Sequence, residues 1–397
     1  MRFSPLVNRL AGEAVDAWDI HTEALAARRR GEEVFVLSVG DPDFATPDAI
    51  SEAAIAALRH GDTHYTEIPG RPTLRDAIAE HHGRLSGQPV RRQNVIVVAG
   101  AQNGLYSVAQ CLLGPGDEAI TPEPMYLTYE ASIRASGADL VRVPVSPDTF
   151  RIDLQAMEKA ISPRTRAIFF ATPCNPTGVA MTLTELEGIA ALARKHDLWV
   201  VADEVYAQII FEGRHTSIAA LPGMAERTVT VSSLSKSHAM AGWRVGWVVG
   251  PEALIDHLDN LLLCVLYGVP GFIQEGALAA LSIACDAAGE VRERYRRRRD
   301  LVIARLSAAP GLRVRRPQAG MFVLVDIREL GLSVKDFTWA LFRQTGVSVL
   351  DAEAFGPTAA GHVRLGFVLA EPHLEEACRR ICAFCARIAA TEAVKVG

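Results

Sequence analysis

One lysine, Lys236, and one arginine, Arg244, lie eight residues apart in the stretch SLSKSHAMAGWRVG, residues 233–246. An amine that attacks a carbonyl must be partly deprotonated, and proteins achieve this by desolvation or by neighbouring positive charge. Ser233 and Ser235 add hydroxyls, while the glycines and alanines leave room for a flat ligand. A lone lysine in such a loop is more often an ordinary surface residue. With an arginine able to clamp a phosphate, however, this spacing is what binding of pyridoxal phosphate requires.

A second candidate, Asp203, ends the apolar run WVVA, residues 199–202. The run is typical of a parallel strand buried on both faces. A carboxylate in that position needs a compensating cation, such as a protonated pyridine nitrogen. Asp is also a good helix N-cap, so this segment alone leaves both interpretations open.

Two further segments predict anion binding. VIVVAGAQNG predicts a strand followed by a helix start, whose free N–H groups attract phosphate. We therefore expect Gly100, Ala101 and Gln102 around a phosphate. Arg364 interrupts the apolar strand HVRLGF, where a planar guanidinium would match a carboxylate. An ordinary strand-to-helix turn and a surface arginine on an edge strand are the respective alternatives.

The stretch at residues 233–246 resembles the lysine signature of class I aminotransferases, S-x-S-K-x-x-x-x-x-G-x-R-x-G, at every position that the family constrains. NPTG at residues 175–178 and DEVY at residues 203–206 also match, and the motifs follow the family's order over the whole chain. The chain is therefore similar to class I and II aminotransferases of fold type I, whose cofactor is pyridoxal 5'-phosphate.

The alternation of strands and helices predicts an open, mainly parallel α/β sheet. The resemblance implies more: a large domain with a mainly parallel seven-stranded sheet flanked by helices, plus a small α+β domain. We expect the large cofactor-binding domain at residues 46–290 and the small domain at residues 1–45 and 291–397. Helices are expected at residues 12–30 and 274–306, and Thr46 is expected to cap a helix that begins at Pro47.

The resemblance implies a role for each matching residue. Lys236 carries the cofactor and moves the Cα proton as general base and acid, and Asp203 keeps the ring nitrogen protonated. Asn175 and Tyr206 hydrogen-bond the ring's phenolic oxygen, while Tyr126 stacks on the ring. The full set implied to bind the cofactor is Tyr65, Gly100, Ala101, Gln102, Tyr126, Asn175, Asp203, Tyr206, Ser233, Ser235, Lys236 and Arg244.

Substrate and partner contacts are also implied by the resemblance. Gly40 and Arg364 match family residues that bind the substrate carboxylate, although Gly40 is explained equally well as a turn glycine. Tyr65 matches a tyrosine that reaches across a dimer interface to the neighbour's cofactor phosphate. The expected active unit is therefore a homodimer with shared active sites.

The expected reaction transfers an amino group between an L-amino acid and a 2-oxo acid such as pyruvate. Stretches such as AWDIH and EAFGP are similar to bacterial family members that act on arginine and pyruvate, so arginine is a candidate donor. Its guanidinium would need the carboxylate of Glu67 or Asp19, or the ring of Trp18. Both acids are equally explained as solvated surface charges. Gln102 stands where some aspartate aminotransferases carry a lysine, so a grip on an acidic donor is in doubt.

Two other functions share parts of this pattern. A β-lyase of the same fold, or an aminotransferase for another donor, would keep every cofactor residue. A transcription regulator with an aminotransferase-like ligand-binding half would need a DNA-binding domain, for which we expect no room before Asp16.

Composition excludes several classes of protein. The 397 residues, with 49% hydrophobic and 22% charged side chains, can bury a large core. A formal net charge of −5 offers no general attraction for nucleic acid, and the basic run at residues 292–299 is interpreted as a solvated helix face. No apolar stretch reaches the roughly 18 residues of a transmembrane helix, and no signal peptide is recognised, so a cytoplasmic protein is expected.

The seven cysteines are an odd number, which fits a reducing compartment better than a disulfide framework. Cys378, Cys382 and Cys385 recur at helical spacing beside Leu374 and Ile381. They are predicted to be buried hydrophobes on one stripe of an amphipathic helix, and no metal site is expected.

Overall fold

The computed structural model describes residues 1–10, 15–282 and 286–396, with the backbone alone for residues 15 and 391–396. Within these residues the α-helices are α1 (Pro5–Leu10), α2 (Asp19–Arg29), α3 (Asp48–Arg59), α4 (Pro72–Ser86), α5 (Ala101–Leu112), α6 (Thr128–Ala135), α7 (Leu154–Ala160), α8 (Leu183–Lys195), α9 (Glu252–Val265), α10 (Gly271–Ala280), α11 (Ala287–Leu306), α12 (Val334–Thr345) and α13 (Glu371–Val396). The β-strands are β1 (Phe35–Val36), β2 (Val95–Val98), β3 (Glu118–Glu123), β4 (Asp139–Pro144), β5 (Thr165–Ala171), β6 (Trp199–Asp203), β7 (Thr228–Ser233), β8 (Gly246–Val249), β9 (Arg313–Val314), β10 (Phe322–Asp326), β11 (Val347–Ser348), β12 (Leu350–Asp351) and β13 (His362–Gly366).

The central sheet has seven strands in the order β2-β8-β7-β6-β5-β3-β4. Strand β8 runs antiparallel to both of its neighbours, and the remaining pairs are parallel. Successive residues of β5 alternate between two apolar cores, with Phe169 on one face and Ile168 and Phe170 on the other. Both faces are buried because helices cover them, as in other parallel sheets. The predicted mainly parallel seven-stranded sheet is confirmed.

A second, four-stranded sheet has the order β12-β13-β10-β9, and its neighbouring strands are antiparallel. Strand β1 pairs in parallel with β11, Phe35 opposite Val347, so the N-terminal segment joins the C-terminal part of the chain. The division at residues 45 and 290 stays a prediction. On α13, Cys378 and Cys385 are buried in the adjoining core, as their helical spacing predicts, whereas Cys382 is only partly buried at its edge.

Two predicted helices differ from those observed. The first was expected at residues 12–30, but a 3-10 turn, Val15–Trp18, precedes α2, which begins at Asp19. Residues 12–14 lie outside the described ranges. The second was expected to be continuous from 274 to 306, but α10 ends at Ala280 and α11 begins at Ala287. Within the described ranges, no helix combines the length and apolarity needed to cross a bilayer.

The prediction of a solvated basic helix face is wrong for two arginines of α11. Arg298 and Arg299 are each only 2% exposed. Arg298 donates two hydrogen bonds to Asp43, at 2.6 and 3.1 Å, and Arg299 donates to Glu212 at 2.9 Å. A buried charge is tolerated when it is paired and hydrogen-bonded. Both partners are distant in the chain, so the run itself could not reveal them.

The predicted role of Thr46 is also wrong. The N-cap of α3 is Pro47, which makes no side-chain capping bond. The Thr46 hydroxyl instead donates to the carbonyl oxygen of Ala239 at 2.7 Å.

Candidate active site

The central sheet brings three predicted residues to one edge. Strand β6 ends at Asp203, β7 ends three residues before Lys236, and β5 ends four residues before Asn175. Because these strands are parallel neighbours, their carboxyl ends meet where α/β sheets bind ligands. Arg364 comes from the other sheet, in the middle of β13.

A cavity of about 180 Å³, open to solvent, lies at this edge. The predicted residues that line it are Trp18, Gly40, Ala101, Gln102, Tyr126, Asn175, Asp203, Tyr206, Ser233, Ser235, Lys236, Arg244 and Arg364. Gly100 adjoins it as the N-cap of α5. The other three predicted residues, Asp19, Tyr65 and Glu67, are exposed and lie outside this cavity.

Lys236 has the lowered pKa that a nucleophilic amine needs. Its Nζ donates to the carbonyl oxygen of Gly40. Burial lowers the pKa of Lys236 to about 8, and the positive charges of Arg364 and Arg244 act in the same direction, while Asp41 opposes them. A substantial fraction of the amine is therefore neutral near physiological pH.

Arg244 lies beside the start of α5. Its guanidinium donates to the carbonyl oxygens of Ala241 at 2.8 Å and Ala99 at 3.1 Å. Gly100 has a φ of +80°, and a Cβ at this position would lie 2.3 Å from Nη2 of Arg244. The backbone conformation therefore favours glycine here, and a Cβ would displace the guanidinium of Arg244. Helix N–H groups and a guanidinium together form a site for a phosphate.

Asp203 is buried and hydrogen-bonded to a residue that the sequence analysis missed. Its Oδ2 accepts from the Tyr129 hydroxyl at 3.0 Å, and its Oδ1 accepts from the N–H of Val205 at 3.2 Å. Burial raises the pKa of Asp203 to about 6, although both hydrogen bonds oppose this shift. Tyr129 packs edge-on against Tyr126, with ring centroids 5.7 Å apart. A second tyrosine three residues after Tyr126 was the only available signal in the sequence.

Arg364 is fully enclosed yet keeps donors for a ligand. It is 2% exposed, and its guanidinium stacks on the Phe322 ring at 4.0 Å. It donates to the side-chain oxygen of Asn175 at 3.0 Å and to the carbonyl oxygen of Ser38 at 2.8 Å, while its buried Nε has no hydrogen-bond partner among the described residues. Burial lowers the pKa of Arg364 to about 10. A buried donor without a partner is costly, so this group is suited to an incoming anion.

Four charged side chains that line the cavity have no ion-pair partner among the described residues. Within the described parts of the chain, no acid lies at ion-pair distance from Lys236, Arg244 or Arg364, and no basic side chain pairs with Asp203. Such a site complements a ligand that carries separate anionic groups and one cationic group. Pyridoxal phosphate bound together with an amino acid has this pattern: a phosphate, a carboxylate and a protonated ring nitrogen. The residues present therefore fit the cofactor.

Comparisons with known proteins agree with this chemistry. The model of the family "Aminotransferase class I and II" matches residues 32–381. The chain belongs to this family. It is an aminotransferase that depends on pyridoxal phosphate, and its substrates are amino acids and 2-oxo acids.

This aminotransferase is similar in sequence or structure to the following three aminotransferases. It is 55% identical over 387 residues to the arginine–pyruvate transaminase of Pseudomonas aeruginosa, covering 97% of this chain and 98% of the relative. It is 35% identical to aromatic-amino-acid aminotransferase 2 of Thermococcus litoralis, covering 88% and 91%. The solved aspartate aminotransferase of Thermus thermophilus with maleate superposes with a TM-score of 0.91 at 34% identity, covering 96% of this chain and all of that one.

The contact between Tyr129 and Asp203 leads to a prediction about pH. Tyr129→Phe removes a donor that stabilises the ionised carboxylate, so the pKa of Asp203 should rise further above its usual value. Only the ionised form can hold a ring-nitrogen cation, so affinity for pyridoxal phosphate should fall as pH decreases through this pKa. In the variant this loss should begin up to about one pH unit higher, the scale of a single hydrogen bond. Titration of the apoenzyme with the cofactor at several pH values measures the shift.

Tyr295→Phe is the matched control, because Tyr295 is buried and its hydroxyl has no hydrogen-bond partner in the part of the chain that the structure describes. This variant should leave the pH profile of cofactor binding unchanged. Identical profiles for Tyr129→Phe and the unmodified enzyme would show that Tyr129 only packs beneath the site.

Proposed function

We propose that this enzyme transfers the amino group of L-arginine to pyruvate. The observation that carries the proposal is the 55% identity, over nearly the full length of both chains, to an arginine–pyruvate transaminase. Gln102 supports it indirectly: the Gln102 amide accepts from Thr128 at 2.5 Å and donates to Ser132 at 3.2 Å. A neutral, already hydrogen-bonded amide gives no ionic grip on an acidic donor side chain.

One group of site residues holds the cofactor. Arg244 and the start of α5 hold the cofactor phosphate, with Ser233 and Ser235 beside them. Asp203 holds the ring nitrogen as a cation. When bound, pyridoxal phosphate supplies a sink for the electrons of the substrate Cα–H bond.

The substrate is held and deprotonated by two further residues. Arg364 binds the α-carboxylate in a region where burial strengthens the ion pair. Lys236 accepts the Cα proton at Nζ and later returns it, which its lowered pKa permits near neutral pH. Asn175, Tyr206 and Tyr126 orient the ring, and Gly40 leaves room for the substrate carboxylate.

We also propose that the active unit is a homodimer in the cytoplasm. Tyr65 is 85% exposed, and its ring makes an edge contact with the ring of Tyr267, with centroids 4.7 Å apart. Leu263 and Val265, which are close to Tyr267 in the sequence, also have exposed apolar side chains. A second copy covering them would let Tyr65 reach the partner's phosphate site. The cysteines that the structure describes are free, which fits a reducing compartment.

The basic test of this function uses purified enzyme and a set of amino donors with pyruvate as acceptor. Arginine should give alanine and the 2-oxo acid of arginine in equal amounts. Arginine turnover below that of aspartate and the aromatic amino acids would replace arginine by another donor. Ammonia release with elimination of the donor side chain would instead indicate a lyase.

Glu67 is the proposed acid for the guanidinium of arginine. In an extended segment it faces the same side as Tyr65, two residues before it, and it is exposed without a partner in the described chain. Glu67→Gln should raise KM for arginine about tenfold, the ~1.4 kcal/mol scale of one charge-assisted contact, with little effect on leucine. Steady-state kinetics with both donors measure the change.

Asp19→Asn is the matched variant, since Asp19 is also an exposed acid and follows Trp18, which lines the cavity. An unchanged ratio of arginine to leucine activity in Glu67→Gln would remove Glu67 from the proposal. A loss confined to Asp19→Asn would assign the contact to Asp19.

A further inference from the structure

Thr46 joins two points of the loop that carries Lys236 and Arg244. Its hydroxyl donates to the carbonyl oxygen of Ala239 at 2.7 Å and accepts from the indole N–H of Trp243 at 2.9 Å. Both bonds span almost the same sequence separation, 193 and 197 residues. One half-buried side chain from the segment before α3 therefore fixes both ends of a five-residue stretch.

The loop needs such support because its backbone is strained at the first residue of this stretch and again directly after it. Ala239 and Arg244 have φ values of +52° and +53°. This left-handed region is unfavourable for residues with a Cβ and persists where the surroundings enforce it. Trp243, directly before Arg244, also packs so closely on α10 that a Cβ at Gly276 would lie 2.6 Å from its ring.

The segment that carries Thr46, residues 40–46, forms hydrogen bonds at two other points. The carbonyl oxygen of Gly40 accepts from Lys236, and Asp43 accepts two hydrogen bonds from the buried Arg298 of α11. The contact between Asp43 and Arg298 lies outside the loop that Thr46 contacts, so the segment that carries Thr46 has an anchor that does not depend on this loop.

We propose that Thr46 is a positioning residue: through Ala239 and Trp243 it enforces the left-handed turn at Arg244 and thereby aims the guanidinium at the cofactor phosphate. This inference rests on the proposed role of Arg244. Thr46 does not touch the cavity, so its effect on cofactor binding passes through the loop.

The test is the affinity of the apoenzyme for pyridoxal phosphate, measured by absorbance titration. Thr46→Val keeps the shape but leaves the indole N–H and the Ala239 carbonyl unpaired, and should weaken binding about tenfold. Thr46→Ser keeps the hydroxyl and should bind nearly as the unmodified enzyme does. Trp243→Phe removes the other partner, and combining it with Thr46→Val should cost less than the two separate losses together.

Thr165→Val is the control for loss of a buried threonine hydroxyl. Thr165 accepts from the N–H of Ser162 at 2.9 Å, at the amino end of β5, away from the site. The Thr165→Val substitution should lower thermal stability but leave cofactor affinity unchanged. Unchanged affinity in Thr46→Val, or equal defects in Thr46→Val and Thr46→Ser, would overturn the inference.

Arg244→Leu separates this inference from the proposed function. If that variant binds the cofactor as tightly as the unmodified enzyme, the phosphate role of Arg244 is wrong. If it binds weakly while Thr46→Val binds normally, only the positioning role of Thr46 is wrong.

Discussion

Lys236→Ala should lose transamination while the protein still folds and binds pyridoxal phosphate through Arg244 and Asp203. Removing a general acid and base alone costs about a hundred- to ten-thousandfold in rate, and loss of the covalent attachment adds to it. In the unmodified enzyme, borohydride reduction followed by peptide mass spectrometry should find the pyridoxyl group on Lys236. Single-turnover assays with arginine should then show no product from the variant.

Lys335→Ala provides the comparison, because this lysine lines a different surface cavity and not the one at the sheet edge. It should retain full activity and the label on Lys236. A pyridoxyl group on another lysine would overturn the assignment of the active site.

Asp203→Ala should produce the second-largest effect. A buried ion pair that loses one partner is destabilised by about 3–5 kcal/mol, which corresponds to a loss of roughly one hundred- to five thousandfold in rate. Asp203→Glu retains a carboxylate and should keep more activity than Asp203→Ala. Both the turnover rate and the affinity of the apoenzyme for pyridoxal phosphate measure this effect.

A capping role for Asp203 predicts a different result. Asp153 is a true N-cap, because its side chain accepts from the N–H groups of Gln155 and Ala156 at the start of α7. Asp153→Ala should lower thermal stability by about 1 kcal/mol and leave turnover unchanged. If Asp203→Ala behaved in the same way, the proposed contact with the ring nitrogen would be wrong.

Sequence reasoning succeeded where chemistry limits both residue type and spacing over a short stretch. Asp203 ends a strand of the central sheet and Lys236 and Asn175 follow two others, and apolar runs reveal the existence of such buried strands. The shared cavity then follows from parallel pairing. The specific roles of these residues stay predictions until the variants are measured.

Long-range contacts account for what the sequence did not reveal. Tyr129 meets Asp203 from 74 residues away, and its local surroundings describe only a core tyrosine. Thr46 stands where a helix cap is expected, but its hydroxyl bonds to a loop almost two hundred residues later. In both cases the local sequence allows more than one hydrogen-bond partner for the side chain, and tertiary packing determines which partner it contacts.

The origin of Arg364 in β13 has a consequence for how this enzyme could be redesigned. Asp203 and the loop of Lys236 and Arg244 adjoin the strands of the seven-stranded sheet, whereas Arg364, the arginine proposed to bind the carboxylate, belongs to the four-stranded one. The proposed site for the α-carboxylate and the proposed catalytic lysine thus come from separate parts of the chain. Every amino donor carries this carboxylate, so libraries that seek a new donor side chain should leave Arg364 unchanged and vary other residues that line the cavity, such as Gln102.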